Sequence, residues 1–486
     1  MIRLCTDEGQ LQLPADSLSL EVRNPFFESD AIPGISTQAF NLSWTRENLR
    51  YLNFPHRYRG AGGPPAVAAN LYLDGPLWQR GSLVYRECDE AAQKLTYNFA
   101  AAATDLQTQI SGVNIRDLNL GSVPLELTPT AANYALLPIR NSAYYGEKNK
   151  DFKGILNHYR DGAYSTGAAY AIAPQPRLIV ALRKIMAQFG YTLTGQWIQD
   201  SEVQKLVLYS DRAAESATGA VLTEFELAKY LPSMTVGELL IALQQLFCLG
   251  YVFDSKRKEM RIVALKPVTT LSGSYVERQG KKLKSKPNLT NGFTLRQAPD
   301  GDDELDKTLD TSGQQVRVGA GAEVIETKAG TLHMVQEADP NGGRSWLVPA
   351  IEAKGASLAY ELGDESRCGL RLLYDRGLQP DSNGSQYPLG TSGVVNYAGT
   401  RVGTTSLLWP GPDGLYQVRH KAWLDFRSRA VETEYEVQFG MADLLALDPT
   451  LPEMVDRHLH LWQKVSLTID AQRKLAKARI TYQEIL

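Results

Sequence analysis

One short pattern is written twice near the middle of this chain, and it restricts the fold more than any other stretch. The first copy is Arg177-Leu-Ile-Val-Ala-Leu-Arg-Lys-Ile-Met-Ala-Gln-Phe-Gly-Tyr-Thr-Leu193, the second Val236-Gly-Glu-Leu-Leu-Ile-Ala-Leu-Gln-Gln-Leu-Phe-Cys-Leu-Gly-Tyr-Val-Phe253. Leu178, Leu182, Ile185 and Phe189 recur at the spacing of one helical face, and so do Leu239, Leu243 and Leu246. Pro176 suits the first helical position of the first copy, and Gly190 suits the left-handed residue that ends it. In the second copy Thr235 and Glu238 have the spacing of a capping box, and Gly250 is expected to close the helix. After each Gly-Tyr the period becomes that of a strand. Asp254-Ser-Lys-Arg-Lys258, flanked by Tyr251, Phe253, Met260 and Ile262, reads as the turn of a short hairpin. Two unrelated core helices satisfy the same pattern, because helix, glycine, strand is common grammar.

On both sides of this pair the dominant period is two. Leu11-Gln-Leu13, Leu18-Ser-Leu-Glu-Val22, Leu71-Tyr-Leu73, Leu83-Val-Tyr85 and Leu95-Thr-Tyr-Asn-Phe99 alternate between turn signals, as half-buried strands do. Asp74-Gly75 is the strongest hairpin signal, since Asp-Gly suits a type I′ turn. Thr45, as N-cap, with Asn48, Leu49 and Leu52, gives one or two helical turns that Pro55 stops. Residues 136–175 read as a connection. Val203–Tyr209 is a strand candidate, and residues 223–232 lead into the second helix. Toward the C-terminus, residues 401–440 read as β: Gly414-Leu-Tyr-Gln-Val418, Trp423-Leu-Asp-Phe426, then an alternating strand with Val431, Tyr435, Val437 and Phe439 on one face. A helical turn at Met441–Leu447 and a hairpin of Leu461–Ile469 with Ala476–Leu486 end the chain.

Composition excludes several classes. The 486 residues suffice for about three domains, and a net charge of −3 offers neither a nucleic-acid footprint nor a polybasic membrane patch. Cys5, Cys88, Cys248 and Cys368 are too far apart for a C-x-x-C or a metal-ligand spacing, so they read as buried or free thiols of a reducing compartment. The start lacks the basic and apolar regions of a signal peptide, and no run reaches 18 apolar residues, so neither export nor a membrane span is expected.

Three blocks resemble a known family. The first is N-P-F-F-x5-P-G-I-S from Asn24, then Phe40-Asn-Leu42 and T-R-E-N-L-x-x-L-x-F-P-H-R from Thr45. Ala39 stands where such proteins often carry proline. The second is L-P-x-M-T-V-G-E-L-L-x-A-L from Leu231, with F-x-L-G-Y-x-F-D and Met260-Arg-Ile-Val263. The third is G-L-Y-x-V-x-x-K-A-W-L from Gly414, with D-L-x-A-L-D-P and the last hairpin. Together they resemble hub or baseplate proteins of tailed-phage tails and phage-like elements. The resemblance implies β-barrel-like domains, a trimeric ring around the tail channel, and contacts to the tail tube or distal tail proteins and to a spike or receptor-binding protein. It implies a virion protein made in the host bacterial cytoplasm.

A search for chemistry finds no G-x-S-x-G, H-E-x-x-H, Walker loop or G-x-G-x-x-G; Gly60-Ala-Gly-Gly63 and Gly319-Ala-Gly321 fall short of all of them. Asp300, Asp302, Glu304 and Asp306 alternate as calcium ligands could, but Leu305 and Thr311 stand where an EF-hand needs glycine and glutamate. His458 and His460 would share a strand face, and two imidazoles make no site within one chain. Glu432 and Glu434 form a carboxylate pair of the kind exposed strands commonly carry. Gly280-Lys-Lys-Leu-Lys-Ser-Lys-Pro287 reads as a strand edge guarded by four lysines, with nucleic-acid contact as the other reading. Twenty-three tyrosines and seven tryptophans suit either β-sheet interiors and subunit contacts or a sugar-stacking surface.

The expectation is therefore a mainly β (α+β) chain with several barrel- or sandwich-like domains and the two helix-Gly-Tyr-hairpin units in the middle. The segments are 1–135, an N-terminal β-domain; 136–268, an α+β domain; 269–400, a loop-rich β-domain; and 401–486, a C-terminal β-domain able to return to an earlier barrel. No catalytic, cofactor-binding or metal-ligating residue is assigned, and no enzyme is expected. The functional expectation is a non-catalytic tail hub. A carbohydrate-binding fibre or adhesin and a cell-wall hydrolase are the alternatives.

Overall fold

The computed structural model describes residues 2–13, 18–28, 36–37, 40–59, 63–73, 75–101, 109–254, 256–269, 274–287, 290, 292–360, 369–469 and 477–485. Asp74, residues 29–35 and 60–62, Ala39, Ser255, Cys368, Ala476 and Leu486, all named in the sequence reading, lie outside them. The chain is mainly β.

The largest sheet draws on both ends of the sequence. Its order is Gly9–Gln10, Ile2–Thr6, Val67–Leu73, Leu77–Asp89, Lys94–Ala101, Ser36–Thr37, Leu18–Arg23, His458–Ile469, Lys477–Glu484, Glu432–Gln438 and Gly280–Lys286. The alternation read from the sequence is the alternation of burial. In Lys94–Ala101 every second residue from Leu95 is buried, and in Glu432–Gln438 Thr433, Tyr435 and Val437 are. The buried sides share one apolar core in which Leu4, Leu83, Phe99, Val465 and Ile480 take part. The final hairpin pairs with Leu18–Arg23 through His458–Ile469, so the last strands complete the sheet that the first ones begin. Leu73 donates its N–H to the Pro76 carbonyl across the turn that holds Gly75, and proline has no N–H to return the bond.

The two helices occupy a second core. They are Leu178–Gln188 and Val236–Phe247. Leu249–Asp254 and Glu259–Ala264 form the antiparallel hairpin expected after the second helix, whereas Thr192–Thr194, after the first, has no hairpin of its own and joins Glu259–Ala264 in parallel. Tyr191 and Tyr251 are both buried, and Tyr251 donates its hydroxyl to the Leu240 carbonyl at 2.7 Å.

Several local expectations change. Pro176 precedes the first helix, ending the short strand Gln175–Pro176, and Arg177 is the N-cap. Gly190 is left-handed at φ 73°, as a helix stop requires. Gly250 is not the second stop. Cys248 takes the left-handed cap at φ 54°, donating its N–H to Gln244, and Gly250 lies inside a strand. Val203–Lys205 is a 3-10 turn, and the strand is Leu206–Leu208. Residues 416–429 are helical: a π-helical turn, Tyr416–His420, opens the helix Lys421–Arg429. Residues 136–175 form more than a connection, since Leu137, Tyr144, Tyr145, Leu156 and Ala171 build a third core together with Tyr209 and Leu373.

Candidate functional site

The three sequence blocks singled out above meet at one junction, at the 3-10 turn Pro25–Phe27. Asn24 is fully buried. Its Oδ1 accepts the Phe26 N–H at 3.0 Å, while its Nδ2 donates to the carbonyls of Trp462 at 2.8 Å and Pro449 at 3.4 Å. Phe26 enters the helical core and lies against Gly250. Phe27 faces the helix Lys421–Arg429, with ring centroids 5.5 Å from Trp423 and 6.4 Å from Phe426. Gln244, on the second helix, donates to the Glu28 carbonyl at 2.6 Å. A small cavity of about 40 Å³ remains among Phe26, Cys248, Leu265, His420 and Trp423. That is room for one or two waters. His420, buried between Trp409 and the second helix, shares a bond of 3.0 Å between its Nε2 and the Leu246 carbonyl. Burial pushes its pKa down to about 4, against the pull of that carbonyl.

Residues considered for chemistry from the sequence are spread through the fold. Of the alternating acids other than the exposed Asp302, Asp300 pairs with Arg371 at 3.1 Å, Glu304 with Lys307 at 2.7 Å and Asp306 with His333 at 2.8 Å. Each of these carboxylates thus has a partner in the chain. His458 is exposed and paired with Glu484 at 2.7 Å, whereas His460 is buried beside Tyr435 and Tyr482. Glu432 and Glu434 pair with Lys286 and Lys284. Gly280–Lys286 is the last strand of the sheet and carries a bulge between Lys282 and Lys284, the arrangement that protects an edge from further pairing. Six of the seven tryptophans are buried and Trp44 is half-buried, so these rings serve packing.

Sequence reasoning missed a network around His158. This ring is fully buried, stacked on Tyr170 at 4.2 Å; Ser165 Oγ lies 2.8 Å from Nδ1 and Asp339 Oδ1 lies 3.2 Å from Nε2. A serine, a histidine and an aspartate in line suggest an activated nucleophile. Asp339, however, also takes Arg160 at 3.1 Å, Arg344 at 3.0 Å and the Asn341 N–H at 2.8 Å, so its charge is already matched. Burial opposes ionisation of Asp339, but the Asn341 N–H, Arg344 and His158 outweigh it and hold the carboxyl below its usual range. Burial likewise pushes the His158 pKa down. The arrangement is a fastening of loops. The signal for it was a repeated D-x-N-G. In both Asp339–Gly342 and Asp381–Gly384 the aspartate accepts the N–H two residues on, and the glycine, at φ 77° and 82°, donates back to the aspartate carbonyl. Arg344 bridges the two aspartates, and Ser345 and Ser382 exchange two further bonds. These loops read as irregular from composition and are cross-braced in the structure.

Cys5 and Cys88 are half-buried free thiols, and Cys248 is a buried one whose pKa burial pushes up to about 12. Among the described residues no helix is long and apolar enough to cross a membrane.

Over 99% of its length the chain is similar to the 43 kDa tail protein of prophage MuSo2 from Shewanella oneidensis, with 10% identity, 97% of that chain covered and a TM-score of 0.38. It is similar in the same way to the tail protein from Neisseria meningitidis MC58, with 9% identity, 99% of this chain and 96% of that one covered, and a TM-score of 0.39. No family model and no curated protein matches the chain.

Proposed function

We propose that this chain is a structural hub or tail-tip component of a phage tail or phage-like particle. Three copies form a ring that joins the tail tube to a spike or receptor-binding protein. The observation that carries the reading is the junction at Asn24, Phe26 and Phe27. Three sequence blocks that separately resemble tail hub proteins are far apart in the chain, and here they hold one another through the bonds of Asn24, the Phe26–Gly250 contact and the Phe27–Trp423 pair. Motifs that act as mutual packing partners describe a scaffold, whose work is to hold surfaces at fixed angles.

The polar groups support the same reading. The carboxylates and imidazoles weighed as catalysts are bonded to arginines, lysines and backbone groups that fix loops and strands in place. The protein acts without catalysis, in the virion tail, after synthesis in the host bacterial cytoplasm. Each subunit contact in a three-fold ring is heterologous, so two different surfaces of the chain must fit each other. Light scattering on the purified full chain should give the mass of three copies. A stable monomer at high concentration overturns the ring, and antibody labelling that decorates no tail in electron micrographs overturns the tail assignment.

A further inference from the structure

One end of the N-terminal strands presents exposed charges of both signs that form no ion pair among the described residues. Ser43, Lys94 and Asp89 lie side by side on three neighbouring strands, and the short helix Arg46–Tyr51 opens directly after Ser43, capped by Thr45. The chain leaves this helix through Asn53 and Phe54, left-handed at φ 56° and 50°. Residues other than glycine adopt that conformation when their surroundings impose it. Here the Phe54 N–H bonds to the Leu49 carbonyl at 2.7 Å. The following turn, Pro55–Arg57, packs on the strand Leu77–Asp89, with His56 4.8 Å from the ring of Trp44. Phe54 and Tyr58 are thereby left 37% and 43% exposed.

The same helix and turn carry Arg46, Arg50, Arg57 and Arg59, all exposed, and none of them forms an ion pair among the described residues. Arg57 lies over the Phe54 ring at 4.9 Å and Arg50 over Tyr51 at 5.0 Å, which holds both guanidinium groups in place while leaving their charges unmatched. At the end of the strand Leu77–Asp89 and the start of the turn after it, Glu87, Asp89 and Glu90 are exposed and form no ion pair among the described residues, with Lys94 opposite Asp89 on the next strand. Some charges elsewhere on the same sheet are matched internally: Lys284 with Glu434 at 2.6 Å, Lys477 with Glu436 at 2.7 Å, Lys464 with Glu21 at 2.6 Å.

We propose that this end is a contact surface for a second copy of the chain. Arg57 and Arg59 of one copy meet residues 87–90 of another, and Phe54 and Tyr58 are buried between them. A surface that carries both halves of a complementary charge set fits another copy of itself about a two-fold axis. Arginine beside exposed aromatic rings is the composition of the energetic centre of protein interfaces. A polyanion would meet the neighbouring carboxylates and a chain of net charge −3. The contact is two-fold, so it is additional to the heterologous contacts of the ring proposed above.

Sedimentation velocity on the full chain over a range of concentrations, at low and high salt, tests it. The wild type should associate, more weakly at high salt. R57E/R59E should weaken association ~tenfold or more, and E87R/D89R should do the same. An equimolar mixture of the two reversed chains should recover it, because their charges match again; recovery also excludes misfolding as the cause of the losses. A monomeric wild type overturns both this contact and the ring. Association indifferent to both reversals overturns this surface and leaves the ring standing. Losses that mixing does not repair overturn the pairing of the two turns.

Discussion

The ring of Phe26 lies so close to Gly250 that a β-carbon there would sit 2.2 Å from Phe26 Cδ1. Gly250 is a strand residue, so its glycine serves close approach rather than backbone handedness. Gly190 is the opposite case, with φ 73° and nothing within 4 Å of an added β-carbon. Gly250→Ala should therefore cost more than Gly190→Ala: about 3 kcal/mol or above from overpacking, against about 1 kcal/mol from backbone strain. Phe26→Leu combined with Gly250→Ala should recover part of the loss. Urea unfolding of the four proteins measures this; equal costs for the two alanines would remove the distinction.

Thr235 and Glu238 form a reciprocal cap, with Thr235 Oγ1 accepting the Glu238 N–H at 3.2 Å and Glu238 Oε2 accepting the Thr235 N–H at 2.8 Å. Thr235→Ala leaves an orphan donor at the start of the second helix and should cost about 1 kcal/mol. Thr235→Ser, which keeps the capping hydroxyl, should leave stability about unchanged. A shift in the unfolding midpoint of equal size for both would mean that the hydroxyl is not what matters.

The cap, the Gly190 stop, the strand alternation and the lysine-guarded edge were legible in the sequence because each is set by residues within a few positions of one another. The cause of Gly250 was not, since Phe26 comes from the far end of the chain. Helix Lys421–Arg429 was hidden for a different reason: it is entered through a π-helical turn and buries Trp423, Leu424 and Phe426, three residues that also fit a strand. That Thr192–Thr194 joins the hairpin strand Glu259–Ala264 could not be read, because local pattern says nothing about which distant strands pair. The loops around Asp339 and Asp381 announced themselves as turns, but Arg344, which makes them one rigid assembly, pairs with both only in three dimensions.

Buried ion pairs give the third prediction. Arg376 has a fully buried side chain, bonded to Glu202 at 2.6 Å and to the carbonyls of Gly393 and Thr405, with its guanidinium 4.1 Å from the ring centroid of Tyr374. Glu202→Ala strands that cation away from water and should cost about 3–5 kcal/mol. Replacing both residues, as Glu202→Gln with Arg376→Met, should cost less than Glu202→Ala alone. Denaturant melts compare them, and a larger loss in the double variant would show that the pair itself stabilises the fold.

Acid should weaken the protein through His420. Its folded pKa is depressed to about 4 from an unfolded value of about 6.5, so the neutral ring is the stable folded form. The contribution is present in full above the unfolded value and is lost as pH falls from about 6.5 toward 4, to a limit of about 3 kcal/mol. His158 and His460, whose values burial also lowers, act in the same direction. His420→Gln keeps a donor for Leu246 and removes the titration. Unfolding measured at pH 7 and pH 5 should show a smaller acid loss in this variant than in the wild type; an unchanged difference would put the acid sensitivity elsewhere.

The order of variants at Asn24 tests what the junction is made of. Asn24 both accepts, from the Phe26 N–H, and donates, to the Trp462 carbonyl, in a site with no exposure. If its work were only to cap the turn Pro25–Phe27, then Asp and Ser, which accept as well as Asn does, would be tolerated and Ala alone would be costly. If it also fastens the turn to the final hairpin, the donor matters. Asn24→Asp then loses the bond to Trp462 and places a carboxylate in a buried site, so it should be at least as damaging as Asn24→Ala, which should cost about 2–3 kcal/mol. The structure requires the second order, Asn above Ser, and Ser above Ala and Asp. Thermal unfolding followed by tryptophan fluorescence, with Trp462 and Trp423 on two of the partners of this turn, reads that order directly; an aspartate variant as stable as wild type would reduce Asn24 to a cap.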